Sequence, residues 1–405
     1  MASDPTAVHD SFIIVCSMWV FCLKFGFAFV EASKTAPENM TNVFFKNMSD
    51  TFVTLVAWWL HGYAFAFGQK NSVIGAQFFL TLDNTNLVHF LFNYMRCSVA
   101  TTLALGAANE RMEPIGYLMS AYVFAGLVYP LACHWVWDEQ GIFYSASTSY
   151  ATQDYAGSGV IFLLGGAAAA VSLRVIGPRA RRWSTHFRQR RHSPAILVLG
   201  GCLQLMGFLG LVLGSHPQLF NPDEGQVLGL CWLNLLLAAS SGGLYCMVIR
   251  CIHFNYYDLD SLLYGAIAGM VSVCAGVDCY IPGVAVMAGT TGSLFFLAVR
   301  FLMAKIQMDD PLNIVSCYLA PGIWGMLHAG LLSDNGALGG RSWVLGNNCL
   351  AVVVLVLWVV LIMYPLQSLF MCLGVFRVPR ILEKQGIDRF RHRQRHPCVK
   401  RKFMK

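Results

Sequence analysis

Residues 154–170 read DYAGSGVIFLLGGAAAA. An acid and small residues, Asp154 to Ser158, open a segment that then stays apolar and rich in glycine and alanine. Small residues let helix backbones approach closely inside a bilayer, and an intramembrane acid is kept where it faces a cavity or a partner. The stretch therefore reads as a membrane helix packed tightly against its neighbours beside a polar cavity. Asp154 at its start has two readings that the sequence leaves open: an N-cap, or electrostatic support for the cavity.

The rest of the chain agrees with a membrane setting. Of its 405 residues 56% are hydrophobic and only 12% charged, where a soluble domain carries about 25% charged residues. The opening MASDPTAVHD is acidic and lacks the basic start of a signal peptide, so the first apolar stretch is expected to stay as a span. Fourteen cysteines are scattered, mostly through apolar segments, without C-x-x-C or Cys/His spacing; they read as small buried hydrophobes, not as a zinc or disulfide framework. The net charge of +7 sits in loops and the C-terminal tail, which is a topology signal and not a nucleic-acid footprint.

Eleven stretches are long and apolar enough to span a bilayer at roughly 20 residues each: 11–32, 48–68, 87–108, 114–135, 157–176, 195–214, 227–250, 259–277, 279–299, 311–333 and 347–374. Alternate loops divide sharply in charge. One set holds Lys34, Lys46, Arg111, the cluster Arg179, Arg181, Arg182, Arg188, Arg190 and Arg191, then Arg300, Lys305 and the tail. The other holds little beyond Lys70 and Arg341, against Asp138, Glu139, Asp223, Glu224 and Asp334. The positive-inside rule then places the N-terminus outside and the C-terminus in the cytoplasm, as an odd number of spans requires. Two glycosylation sequons, at Asn39 and Asn47, fall on the cytoplasmic side and read as chance matches. We expect a transmembrane domain over 1–376 and a basic cytoplasmic tail over 377–405, whose first half, RVPRILEKQGIDRF, is apolar enough to dock or form a short helix.

Motifs along nearly the whole chain resemble those of the ammonium transporter family (Amt/Mep/Rh). Besides the opening stretch and the GPR at 177–179, they are GFAFVEA at 26–32, GYAFAFG at 62–68, GAANERM at 106–112 and YPLACHWVW at 129–137. Further on come YGAIAGMVSVCAGVDCYIPGVAVMAGTTG at 264–292, DDPLN at 309–313 and GIWG at 322–325. The resemblance implies an all-α integral membrane fold of eleven transmembrane helices in two inverted halves of five. It also implies a trimer in a plasma membrane, with one pore per subunit. The internal repeat itself is not visible in the sequence.

Family pores recruit the cation with aromatic faces and a hydroxyl, then pass it along a narrow apolar stretch carrying two histidines, whose imidazoles both donate and accept and titrate near neutrality. By motif register the vestibule keeps Trp137 and Ser215, with Asp154 retained at the start of the fifth helix. The positions of the two histidines hold Phe162 and Tyr318, which are expected to face each other at the pore centre. His328 is ten residues beyond the second and cannot stand in for it, and His134 reads as a packing histidine. The outer aromatic gate keeps Phe92, but Arg96 stands where its inner phenylalanine is expected and Leu211 at the sixth-helix partner.

An intramembrane arginine costs at least roughly 2.5–3.5 kcal/mol at the bilayer centre. Arg96 either snorkels or pairs with an acid, or it faces the vestibule near Trp137 and Ser215, held by Asp154 or by helix-end carbonyls. In the second case its charge opposes an arriving cation by roughly 2–2.5 kcal/mol at about 7 Å, on the order of fiftyfold in occupancy. Lys24 adds a second unusual intramembrane cation. Three functional readings follow. The resemblance implies transport of ammonium or ammonia. The residues favour a non-conducting regulatory or sensor paralogue, as a homotrimer or as a heterotrimer with a conducting relative. The third reading is a pore altered for another small solute. No cofactor, metal site or enzyme motif is expected.

Overall fold

Each of the eleven apolar stretches becomes a helix in the computed structural model, which describes residues 5–83, 85–144, 152–180, 182–183, 193–217, 223–334 and 336–393. The helices are α1 (Pro5–Lys34), α2 (40–67), α3 (Leu87–Gly106), α4 (Pro114–Trp137), α5 (Ser158–Ile176) and α6 (Pro194–Leu213), then α7 (Glu224–Phe254), α8 (Leu259–Val273), α9 (Pro282–Lys305), α10 (Val315–Leu332) and α11 (Ser342–Cys372). Eight are long and apolar enough to cross a membrane. The other three are α2, α3 and α8. The first two carry polar residues turned into the bundle, such as Lys46, Asp50, Asn93 and Arg96, and α8 is short. Arg181, Arg188, Arg190, Arg191 and the tail beyond residue 393 lie outside the described residues.

The inverted repeat that the sequence conceals is plain in the way paired helices start and pack. α1 lies along α6, the first helix of each half, and α5 crosses α10, the fifth of each. Both α5 and α10 open with a wide π turn, at Ser158–Leu163 and Val315–Leu319. Each is capped by an aspartate: Asp154 Oδ2 accepts from the amides of Gly159 (3.1 Å) and Val160 (2.9 Å), and Asp310 Oδ2 from that of Val315 (2.8 Å). Where the two helices cross, a Cβ on Gly166 would stand 2.7 Å from the Leu319 nitrogen, and one on Gly322 2.8 Å from the Ser158 oxygen. Only glycine allows that approach, which is how bilayer helices associate without a hydrophobic drive.

Two buried lysines find their partners within the bundle. Lys24 pairs with Asp50 and donates to Ser98 Oγ (2.7 Å), while Tyr117 donates to the second Asp50 oxygen (2.7 Å). Lys24 is therefore part of the packing between α1, α2 and α3, and not the free intramembrane charge its position in the sequence suggests. Lys46 donates to the carbonyls of Asn109 and Met112. Asn39 and Asn47 are buried and spend their side-chain amides on Glu110 (3.1 Å) and Glu31 (2.8 Å), so both act as bundle residues.

At the end of the bundle bearing the basic loops, Asp309 ties three connections together. It accepts from Arg179 through the main-chain nitrogen (2.9 Å), Nε (2.8 Å) and Nη2 (2.9 Å), and from Arg182 Nε (3.1 Å). Burial works to raise the Asp309 carboxyl, but the hydrogen bonds and charge of Arg179, with the charge of Arg111, outweigh it and hold the group at about 2. Beyond α11 the chain lies across this end. It forms an isolated antiparallel bridge between Arg377 and Met112, then α12 (Arg380–Gln385) and α13 (Ile387–Arg391). Asp388 is fully buried and accepts from the amides of Thr41 and Asn42, both at 2.8 Å, at the start of α2.

Candidate functional site

The opposite end of the bundle opens into a cavity of about 700 Å³, whose lining includes Phe92, Arg96, Trp137, Asp154, Ser215 and Asp278. Three helix ends build its floor. α3 contributes Phe92, Asn93 and Arg96 within one turn, α4 ends at Trp137, and Ser215 follows α6. Trp137 is fixed by its indole nitrogen, which donates 2.7 Å to the carbonyl of Asp154. Ser215 Oγ gives its proton to the Leu211 carbonyl at 2.6 Å, leaving its lone pairs for another donor.

That donor is Arg96. Its guanidinium lies 4.3 Å from the ring centroid of Phe92 and 4.7 Å from that of Trp137, and Nη2 donates to Ser215 Oγ. Nη1 reaches Asn93 Oδ1 at 3.3 Å, while Nε has no hydrogen-bond partner. The side chain thus points into the vestibule instead of snorkelling. The acceptors expected from sequence do not hold it: Asp154 Oδ2 is spent on capping α5, and Ser215 and Asn93 take the guanidinium instead. Of the two readings of Asp154, the cap is the one with hydrogen bonds behind it. At the cavity rim, burial pushes the Asp278 carboxyl up and the His216 imidazole down. Both shifts favour the uncharged form, while the guanidinium keeps its charge.

Among the described residues the cavity lining stops short of Leu211, Phe162 and Tyr318. All three are buried below it. Phe162 and Tyr318 stack across the contact between α5 and α10, with ring centroids 6.0 Å apart and planes 26° apart. Sequence reasoning missed the rings that extend this pair into a column. Phe208 of α6 stacks on Phe162 at 5.1 Å and 20°, and Phe27 of α1 meets Tyr318 edge-on at 5.3 Å. Tyr318 donates to Gln204 Oε1 at 3.4 Å, and Gln204 Nε2 is unpartnered. A signal existed for this part: Gln204 is the one amide in the otherwise apolar helix PAILVLGGCLQLMGFLGLVL, and Phe208 follows it by one turn. His328 points away from the column and bonds the Tyr280 hydroxyl (2.9 Å), and His134 bonds the carbonyls of Ala66 (3.0 Å) and Asn71 (2.7 Å).

Two inverted five-helix halves, a cavity at one end and a column of side chains on the contact between their last helices define a membrane transporter of the inverted-repeat class. A model of the Ammonium Transporter Family matches residues 11–396, and the chain belongs to that family. It is 27% identical over 416 residues to the putative ammonium transporter 1 of Caenorhabditis elegans, covering 95% of this chain and 78% of that protein. It is 26% identical to ammonium transporter 1 member 3 of Solanum lycopersicum, covering 96% and 92% of the two chains. Among solved structures, one described as a sensor Amt protein matches with a TM-score of 0.84 at 24% identity, over 96% of this chain and 99% of that one. Mep2 of Saccharomyces cerevisiae matches with a TM-score of 0.82 at 20% identity, over 92% and 87%.

Proposed function

We propose that this chain is an ammonium transporter-like membrane protein whose own pore conducts ammonium poorly or not at all, and which works as a regulatory or sensor paralogue. The observation that carries the reading is the seat of Arg96. Two aromatic faces and a hydroxyl make a cage suited to a desolvated cation, worth about 2 kcal/mol for the aromatic contact. The guanidinium fills that cage. A tethered cation competes with any free one at a high effective concentration, and its charge repels what it does not displace. Below it, a narrow column of Phe162, Phe208 and Tyr318 offers an ammonium ion one hydroxyl and one amide in place of two imidazoles.

In this reading Trp137, Ser215, Arg96 and Asp154 form the vestibule, Phe92, Arg96 and Leu211 the gate, and Phe162 and Tyr318 the pore centre. The protein is a trimer, of its own copies or with a conducting relative, in the plasma membrane. Its N-terminus is extracellular, and residues 377–405 form the cytoplasmic tail of a 1–376 transmembrane domain. The second reading is plain ammonium transport, favoured by the family and by the survival of Trp137, Phe92 and Ser215 around the cage. Ammonium flux into liposomes carrying the purified protein separates the two. The proposal expects uptake close to that of empty vesicles, and robust uptake would sink it.

A further inference from the structure

A second pocket opens at the basic end of the bundle, with about 160 Å³ of free volume. Its walls come from separate pieces of chain: Lys34 ends α1, Asp260 lies in the first turn of α8, and Arg300 is near the end of α9. Arg182 comes from the connection after α5, and Asp310 and Ser316 from the start of α10. Cavities of about 150 Å³ admit a guest the size of benzene, so one tetrahedral oxyanion fits. Both wall carboxylates are already engaged. Asp260 pairs with Lys34 at 2.6 Å, and Asp310 turns its oxygens to the amides of Leu312 (3.3 Å) and Val315 (2.8 Å). Arg182 has only a share of Asp309, which also accepts from Arg179 and faces Arg111 Nη1 at 3.8 Å. Arg300 reaches no carboxylate among the described residues. Its guanidinium lies 5.8 Å from the ring centroid of Phe296, with Nη1 only 3.5 Å from Ser261 Oγ. The pocket therefore carries positive charge that its own walls do not match.

We propose that this pocket is a binding site for one oxyanion of the phosphate class, either inorganic phosphate or the phosphate of an anionic lipid headgroup. Arg300 supplies the fork, since a planar guanidinium matches two phosphate oxygens at once. Arg182 and Lys34 add charge from the flanks, and Ser316 adds a hydroxyl. The start of α10 turns the positive end of its dipole to the same place. Chloride offers no pair of oxygens to the fork, and a free cation is opposed by the same surplus that draws the anion. Free phosphate would enter from the solution at the basic end. A headgroup would come from the side of α9, where Phe301 and Leu302 follow Arg300 and are 71% and 49% exposed. The site goes beyond the proposed function and stands whether or not the pore conducts.

The test is thermal unfolding and calorimetry of the purified full chain in two settings. In detergent it is titrated with sodium phosphate against sodium chloride at matched ionic strength, and in lipid nanodiscs phosphatidic acid is titrated into phosphatidylcholine. The expected result is saturable stabilisation by a phosphate species that chloride and phosphatidylcholine do not reproduce. A response to inorganic phosphate assigns the free ion, and a response to phosphatidic acid alone assigns the headgroup. Arg300→Gln is expected to weaken the apparent affinity at least tenfold. Arg300→Lys, which keeps the charge and loses the fork, is expected to weaken it several-fold. Lys70→Gln, which removes the same charge at the opposite end of the bundle, is expected to leave it unchanged. No response to either phosphate species overturns the proposal, as does one that both Arg300 variants leave intact or that Lys70→Gln abolishes. If Arg300→Gln does not fold, Arg300→Lys and Lys70→Gln still decide. Neither readout involves ammonium or flux, so failure here is distinct from failure of the proposed function.

Discussion

α5 and α10 start from the same device and open onto opposite surroundings. In each, an aspartate caps a π turn and an aromatic ring follows the aspartate by eight residues, Asp154 to Phe162 and Asp310 to Tyr318. α5 begins at the edge of a 700 Å³ cavity with an arginine standing in it. α10 begins at the basic end, where Asp309 gathers Arg179 and Arg182 beside the cap and Asp310 lines a smaller pocket of about 160 Å³. The pairing of α5 with α10 needs only the cap, the π turn and the glycine crossing, so it survives whatever each mouth is used for. What differs is where the cation goes. At one mouth Arg96 lies between the rings of Phe92 and Trp137, and at the other Arg179 ties loops together through Asp309.

The largest effect expected of any substitution is on conduction, and it bears directly on the α5 mouth. In yeast lacking its own ammonium transporters, the unmodified chain should reach the surface and support little growth on low ammonium. Phe162→His with Tyr318→His should do little alone, and adding Arg96→Phe should restore part of the flux. Full rescue by the two histidines would mean that the occupied cage is irrelevant and the two mouths differ only in appearance. Next in size is vestibule binding. Arg96→Phe should raise methylammonium affinity on the order of fiftyfold, the equivalent of about 2–2.5 kcal/mol of relieved repulsion. Calorimetry that finds no change would show that Arg96 neither fills nor repels.

The shared part of the plan makes a smaller prediction. Asp154→Ala and Asp310→Ala should each cost about 0.5–2 kcal/mol through loss of a cap, and by similar amounts. A large inequality in the melting temperatures of the two variants would break the symmetry argument. Smallest is a pH effect confined to the α10 mouth. Because the Asp309 carboxyl is held at about 2, below its unfolded value, its contribution to stability is complete above about pH 4 and is lost as pH falls toward 2. The gap in melting temperature between the wild type and Asp309→Asn should therefore be full at pH 6 and close on acidification. A gap that stays constant would show that the carboxylate is not held by charge.

Much of this was legible from residues alone, and the parts that were not share a cause. All eleven spans announced themselves because each buries an apolar run, and Arg96, Trp137 and Ser215 came together because helix register carries a motif position reliably across a few turns. The partner of Lys24 was not legible, because Asp50 is on the next helix and pairing across helices leaves no periodic trace. The inverted repeat escaped because its two copies keep one aspartate, one turn and one ring while the residues between them differ: Asp154 is followed by Tyr-Ala-Gly and Asp310 by Pro-Leu-Asn. Phe208 and Phe27 joined the column only once the rotation of α6 and α1 was known. Gln204 alone carried a readable sign, a polar residue in an apolar helix.

The bond from Asp388 to the start of α2 joins residues 347 apart in the chain. At a synthesis rate of about 5–20 residues per second, the second helix waits roughly 20–70 s for its cap to leave the ribosome. Until then the first turn of α2 keeps open amides, although the helix already carries Asn47 and Asp50, the partners of Glu31 and Lys24. Maturation of the membrane domain thus finishes when its last docked segment reaches back to one of its first, and a chain cut before residue 388 never makes that closing bond.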